Sequence, residues 1–254
     1  MKNKEELEMA KKYAPRIFFD TREPFLPEFV GYTVVKNNNI KSPSFQRQLI
    51  AEENSFIIEY AIYWDWDIGH HYDLEHLWVK VNSKGEVTAF EGSAHGLYIN
   101  LWPSPPKLET LVKALKNKDA NHRYCSAAEA SNLPEIYKSG EGLICYSQPG
   151  KHAFAPTGDW YRKQKQFVIK ECTERSGHSA LIGGVYGEQI LNKYCDYQDL
   201  ARKYLKEASF TPTLEFNNLV DLNKDVELIP WNKLYQLIPE RIDYWMHRLK
   251  ILYK

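Results

Sequence analysis

Hydrophobic residues are densest in two neighbouring segments of the first third of the chain. Residues 54–64 are apolar at both odd and even positions, which is typical of a strand covered on both faces. Residues 72–81 predict the next strand and residues 82–85 a hairpin turn. Residues 86–91 and 94–100 predict two returning strands. Antiparallel strands in succession indicate a meander or one sheet of a sandwich.

Helical periodicity is found towards both ends of the chain. Residues 3–13 predict a short helix, residues 107–116 an amphipathic one, and residues 197–207 a helix capped by Asp196. Pro230 and Pro239 predict the starts of two short helices, separated from the preceding helix by a loop at 222–230. Residues 167–170 predict a strand. The stripe Ile242, Met246 and Leu249 favours packing on the sheet over docking on a membrane surface.

Length and composition restrict the class of protein. The 254 residues fit one large domain, so we predict a single domain over residues 1–254. Its fold class is mainly β with peripheral helices (α+β), an antiparallel β-sandwich with an N-terminal helix and helical C-terminal additions. Lysine plus arginine balance aspartate plus glutamate at 33 each, which argues against a nucleic-acid partner.

The sequence also bears on the cellular compartment. The N-terminus has no apolar run typical of a secretory signal, and no apolar stretch reaches the roughly 20 residues of a transmembrane segment. The four cysteines are widely spaced, without a Cys-x-x-Cys pair, and are interpreted as free thiols. We therefore expect a cytoplasmic protein.

The chemistry is concentrated in residues 65–76, which carry four carboxylates and three histidines between two strands. Because strand residues alternate between faces, Asp73 and Glu75 project to the same side. His70 lies at the entrance of that strand. Two adjacent carboxylates repel each other unless a cation or a proton lies between them. His70, Asp73 and Glu75 therefore predict a divalent-metal site more strongly than a structural ion-pair network.

Other residues extend this candidate site. Asp65 and Asp67, at the end of the preceding strand, are further candidate ligands. His95 precedes Gly96 and His152 follows Gly150 by two residues, and both are candidate general bases or acids. The remaining candidates are for substrate binding: Lys151, Trp66 and Tyr72. For Lys151 a solvated turn residue is the favoured alternative, and the aromatic residues have core packing as theirs.

A known family has a similar motif. Gly69-His70-x-x-Asp73-x-Glu75 resembles the signature Gly-His-Arg-His-Asp-Trp-Glu of the necrosis-and-ethylene-inducing-peptide-like (NPP-like) toxins. It departs from that signature at His71, Tyr72 and Leu74. Residues 13–17, 93–96 and 150–153 resemble blocks of the related fungal vacuolar-protein-sorting-like domains, so that the resemblance covers about residues 13–155.

The resemblance implies a β-sandwich with an octahedral Mg or Ca ion. It places His70, Asp73 and Glu75 at the ion, together with Asp65 or Asp67. In the toxins the site underlies binding to sphingolipid head groups, a role that requires secretion. From the donor types alone, carboxylates favour Mg or Ca, whereas extra imidazoles favour Mn or Zn.

Two functions are open at this point. One is a metal-dependent hydrolase of a polar substrate, a phosphate ester or a glycan, with His95 or His152 as general base or acid. The other is a non-catalytic module that binds a glycan or lipid head group through the ion. The third alternative is a structural role, in which the cation joins two sheet edges. The convergence of ionisable groups favours the hydrolase.

Overall fold

The computed structural model describes residues 2–36, 39–102, 124–125, 142–181 and 186–254. Its strands are β1 (Arg16–Phe19), β2 (Phe29–Lys36), β3 (Asn39–Lys41), β4 (Gln48–Ile50), β5 (Phe56–Trp66), β6 (His71–Val81), β7 (Val87–Ala94), β8 (Leu97–Trp102), β9 (Tyr124–Cys125), β10 (Ile144–Ser147), β11 (Phe154–Ala155), β12 (Asn218–Asp221) and β13 (Glu227–Pro230). Its helices are α1 (Lys2–Lys12), α2 (Asp159–Arg162), α3 (Lys165–Cys172), α4 (Gly187–Tyr194), α5 (Gln198–Glu207) and α6 (Trp231–Leu252). A 3-10 turn, Cys195–Tyr197, joins α4 to α5.

Two sheets make up the body of the fold. The larger has the strand order β13-β2-β5-β6-β7-β8-β9 and the smaller β11-β10-β1-β12, while β3 and β4 form a separate ribbon. The central pairs of the larger sheet are antiparallel, and parallel pairs lie at its two edges. The predicted fold class, a mainly β sandwich of α+β type, is confirmed.

One hydrophobic core lies between the two sheets. Ile58, Tyr60, Ile62 and Trp64, at alternate positions of β5, pack there with Ile17 and Phe19 of β1. Helix α1 closes the far end of this core, where the Tyr60 hydroxyl donates a hydrogen bond to the carbonyl of Ala10 at 2.7 Å.

A second core covers the opposite face of the larger sheet and explains why β5 is apolar on both sides. Helix α6 packs on this face through Ile242, Met246 and Leu249, so the predicted packing of that stripe on the sheet is confirmed. Gly31 of β2 permits the close approach, because a Cβ there would lie 2.8 Å from a methyl carbon of Leu234. Among the described residues, no helix combines the length and the hydropathy needed to cross a membrane.

The prediction of two short C-terminal helices was wrong. Helix α6 runs through Pro239 without interruption, and Pro230 lies at its N-cap. A proline within a helix leaves the carbonyl four residues earlier without its N–H partner. That carbonyl, on Tyr235, accepts a hydrogen bond from the Tyr186 hydroxyl at 3.0 Å instead.

Three other local predictions were wrong. Residues 167–170, expected as a strand, belong to helix α3, and the expected loop at 222–230 contains strand β13. Asp196 does not cap the helix after it, because it lies inside the 3-10 turn, and Tyr197 is the N-cap of α5 without a side-chain hydrogen bond. The helix predicted over 107–116 lies outside the described residues.

Candidate functional site

Turns from separate parts of the chain meet at one end of the sandwich. The β5–β6 turn carries Asp67 and His70, the β7–β8 turn carries His95, and the β10–β11 turn carries Lys151 and His152. The loop that follows α3 closes the side of the site, because the amide of Ala180 bonds to the carbonyl of Gly69 at 2.9 Å. Most of the ionisable residues predicted from the sequence are thus brought to one place.

Asp73 and Glu75 lie on the face of β6 that looks into the sandwich. The pairing of β6 with β5 determines this orientation. Asp73 pairs with Trp64 and Glu75 with Ile62, and both partners belong to the core between the sheets. Glu75 is buried and accepts a hydrogen bond from the Ser93 hydroxyl. Burial, reinforced by the negative charge of Asp73, raises the pKa of Glu75 to about 8.

His152 is a buried cation between two carboxylates. Its Nδ1 lies 3.1 Å from Asp73 Oδ2 and its Nε2 lies 3.7 Å from Glu23 Oε1. The ring stacks on Trp64 with a centroid separation of 4.4 Å. Burial opposes the charged imidazole, but the two carboxylates outweigh it and raise the pKa of His152 to about 9. A cation held in this way is unsuited to accept a proton from a substrate.

Asp67 is saturated by donors from three sides. Its Oδ1 accepts the backbone amides of Gly69 at 2.5 Å and His70 at 2.6 Å. Its Oδ2 accepts the Lys151 ammonium and lies 3.3 Å from His70 Nε2. Burial favours the neutral acid, but the positive charges of His70 and Lys151 outweigh it and lower the pKa of Asp67. Lys151 is thus an ion-pair partner here, with 12% of its side chain exposed.

His95 stands at the open edge of the site. Its Nε2 lies 2.8 Å from Oε1 of Gln148. Since an amide oxygen only accepts hydrogen bonds, Nε2 carries the proton and Nδ1 keeps the lone pair. Although much of the residue is exposed, desolvation of its ring lowers the pKa of His95, as does the positive charge of Lys151. A neutral imidazole with a lone pair is the form that a general base requires.

Backbone strain is concentrated in this region. Tyr72, His95, His152 and Ala180 adopt positive φ angles of 42°, 52°, 59° and 47°. Residues other than glycine rarely take this conformation, and such positions collect at functional sites. Four neighbouring elements are therefore held in unfavourable conformations around the same cluster of side chains.

Three sequence candidates are placed elsewhere. Asp65 lies on the opposite face of the sheet, where Arg241 of α6 binds its carboxylate with Nε 3.1 Å from Oδ1. Trp66 and Tyr72 are buried in the core under the C-terminal helices. Because these side chains face away from Asp73 and Glu75, we leave Asp65 out of the candidate ligands and Trp66 and Tyr72 out of the candidate binding surface.

The charges and donors of the cluster can be compared with the needs of a metal ion. Within the described ranges, no three His, Cys, Asp or Glu side chains are already arranged to hold one. The donor chemistry nevertheless fits a hard divalent ion, since Asp67, Asp73 and Glu75 offer carboxylate oxygens and His70 an imidazole. The carboxylates of Glu23, Asp67 and Asp73 face the basic side chains of Lys151, His152 and His70.

Sequence reasoning missed three residues of the cluster. Glu23 comes from the proline-containing loop after β1, where nothing distinguishes it from a surface acid, yet it accepts the amide of Gly150 at 2.7 Å. Ser93 lies in one of the segments that carry the family resemblance and Gln148 lies two residues before another, but only the fold shows that they bond to Glu75 and His95.

Comparisons with known proteins give a distant structural likeness. No family model matches the sequence, and no curated protein matches it. The solved structures of NLPPya in complex with glucosamine and with mannosamine match at 14% identity over 60% of this chain, with TM-scores of 0.37 and 0.36. The chain spans 66% of the length of those proteins.

A further match is the structure described as "Toxin fold as basis for microbial attack and plant defense". The two sequences are 16% identical. The matched region covers 73% of this chain and 89% of the chain in that structure, with a TM-score of 0.31. Amino sugars are ligands of NLPPya, and at this level of similarity nothing follows from them about a ligand of this chain.

Proposed function

We propose that the cluster is a divalent-cation site at which the protein binds and hydrolyses a small polar substrate, a phosphate ester or a glycan. Asp67, His70, Asp73 and Glu75 would hold the ion, with Mg or Ca favoured over Mn or Zn by the carboxylate oxygens. The observation that carries this proposal is the pair Asp73 and Glu75: two carboxyl groups on one face of β6, of which Glu75 is buried and has a raised pKa.

Other side chains of the cluster have the proposed catalytic and orienting roles. A bound divalent ion would supply Lewis acidity to the substrate and to an attacking water. His95 is the proposed general base, because Gln148 fixes the proton on Nε2 and leaves Nδ1 basic. His152 and Glu23 orient Asp73 from inside the sandwich.

A distant relationship to the NPP-like superfamily is part of this proposal. The motif Gly69-His70-x-x-Asp73-x-Glu75 supports it, because its acids and its histidine all belong to the cluster. The proposed location is the cytoplasm, supported by the free thiols of Cys145, Cys172 and Cys195.

Metal binding is tested through thermal stability. An ion at about one hundred times its Kd stabilises a folded protein by about 2.7 kcal/mol. For a chain of this size we expect millimolar Mg or Ca to raise the Tm by about 5 to 10 °C over the value in EDTA. Asp73→Asn is expected to abolish the rise, because it removes a charged ligand at nearly constant shape.

The matched control for that experiment is Glu52→Gln, which changes an exposed acid before the start of β5, whereas Asp67 follows the end of that strand. It should keep the full rise in Tm. Identical melting curves of the wild type with ion and with EDTA would contradict metal binding.

Hydrolysis is tested with a panel of nitrophenyl phosphodiesters and glycosides in the presence of Mg or Ca. We expect His95→Ala to lower kcat about 100-fold or more, the usual contribution of a general base. The Tm rise with ion should stay unchanged in this variant. Ion binding without turnover of any substrate would favour the alternative function, a non-catalytic module for a glycan or lipid head group.

A further inference from the structure

We propose that a cavity on the outer side of the smaller sheet, between α2 and the segment that leads into β12, binds a single neutral sugar unit. The cavity has a volume of about 330 Å³, which is at the lower end of the range for small-molecule sites. The described residues that line it are separate from the cluster around Asp67, so this inference does not depend on the function proposed for that cluster.

Two aromatic rings form an apolar corner in this cavity. Tyr146 of β10 points away from the larger sheet, because it alternates with the buried Cys145. Its ring stacks on Phe18 with centroids 5.2 Å apart. Phe216 meets the Tyr146 ring edge-on, at a centroid distance of 5.4 Å and an interplanar angle of 84°. Rings in this arrangement offer an apolar surface to the C–H groups of a ligand.

Specific backbone contacts fix the position of Phe216 in the cavity. Gly158 lies directly against its ring, since a Cβ there would be 2.6 Å from Phe216 Cδ2. Leu214 adopts a positive φ of 61°, a conformation that is unfavourable for residues other than glycine. The buried carboxylate of Asp20 stabilises this conformation, because it accepts the Leu214 amide at 2.5 Å. Backbone strain of this kind collects at functional sites.

Polar groups complete the wall of the cavity. Arg162 of α2 donates from Nη1 to Asp159 Oδ1 at 2.6 Å and from Nε to the carbonyl of Leu214 at 3.1 Å. Its guanidinium is thus fixed at two nitrogens, with Cζ 5.7 Å from the centroid of Phe216. The Asp159 side chain is 68% exposed and can accept a further hydrogen bond, and Asn217 adds an amide. The cavity therefore combines an apolar corner with hydrogen-bond donors and acceptors.

The charge and polarity of this wall select the class of ligand. Asp159 and Glu215 place two carboxylates beside one guanidinium, which disfavours a phosphate or another anion. An organic cation would need the face of Phe216, and the Arg162 guanidinium already lies over that ring. A wholly apolar ligand would deprive the polar wall of water without replacing its hydrogen bonds. A neutral sugar fits, because its C–H groups can pack on the rings while its hydroxyls bond to the wall.

Saturation-transfer NMR of the full chain in EDTA tests the site, with the methyl glycosides of glucose, galactose, mannose and xylose as probes. We expect at least one of them to bind with a millimolar Kd, as is usual for a ligand of about a dozen non-hydrogen atoms. Asp159→Ala should raise that Kd about tenfold or more, because it removes a charged hydrogen-bond acceptor. Since Asp159 is exposed, the Tm of this variant should equal that of the wild type.

The matched control is Asp199→Ala on α5. Asp199 forms the same kind of ion pair with a residue one helical turn later, Arg202, at 2.9 Å, and it lies outside the cavity. This variant and Asp73→Asn should both bind the sugar as the wild type does. An equal Kd for the wild type and Asp159→Ala, or no transfer to any of the four glycosides, would overturn this inference and leave the cation site untouched. Transfer to phenyl phosphate or tetramethylammonium in place of the glycosides would overturn the choice of a neutral sugar.

Discussion

Replacement of His152 by leucine is expected to lower the free energy of unfolding by about 3 to 5 kcal/mol. The imidazolium is buried between Asp73 and Glu23, and its loss leaves two carboxylates inside the protein without their shared cation. Stacking on Trp64 would be replaced by an aliphatic contact, so the loss of charge dominates. Urea denaturation, followed by circular dichroism at pH 7, measures the change.

The control for this prediction is His247→Leu, an exposed histidine of helix α6. Its effect should stay within about 0.5 kcal/mol, as for most surface substitutions. A loss at His152→Leu no larger than at His247→Leu would mean that the buried carboxylates are neutralised by something other than His152.

Stability is expected to fall as the pH rises from about 6.5 to 8.5, by about 4 kcal/mol. His152 has a folded pKa of about 9, above its ordinary value, so the folded state holds a proton that the unfolded chain releases in this window. Glu75, with a folded pKa of about 8, acts in the same direction. His71 and His76, whose pKa values burial lowers to about 3, affect stability only below this window.

The contribution of Glu75 can be isolated. Glu75→Gln removes a titrating proton and retains the shape of the side chain, so its plot of Tm against pH should be shallower than that of the wild type. The variant should gain stability relative to the wild type at the upper end of the range. Parallel plots for the two proteins would contradict the raised pKa of Glu75.

Strand periodicity was the reliable guide to both the fold and the site. Alternation along β6 placed Asp73 and Glu75 on one face, and the structure has them there, looking into the sandwich. Strand β5 is apolar at both odd and even positions, which indicated that both of its faces are buried. The smaller sheet buries one face and helix α6 the other. Such inferences succeed because they depend only on residues close together in the chain.

Prediction from the sequence failed where contacts with residues distant in the chain determine the structure. Residues 167–170 carry β-favouring side chains, but they form part of a helix with Val168 and Cys172 on its buried side. Lys151 had the sequence context of a solvated turn residue, and its ion pair with Asp67 depends on two turns 84 residues apart. Glu23 is a similar case, because its partners come from the β10–β11 turn.

The placement of the last strands has a consequence for biosynthesis. Strand β12 borders the smaller sheet beside β1, and β13 borders the larger sheet beside β2. The N-terminal strands β1 and β2 therefore acquire one neighbour each only after residues 218–230 have left the ribosome. Pairing of such distant segments is slow, and both sheets keep an unpaired border during translation. Nascent chains of this protein should therefore depend on chaperones until synthesis is complete.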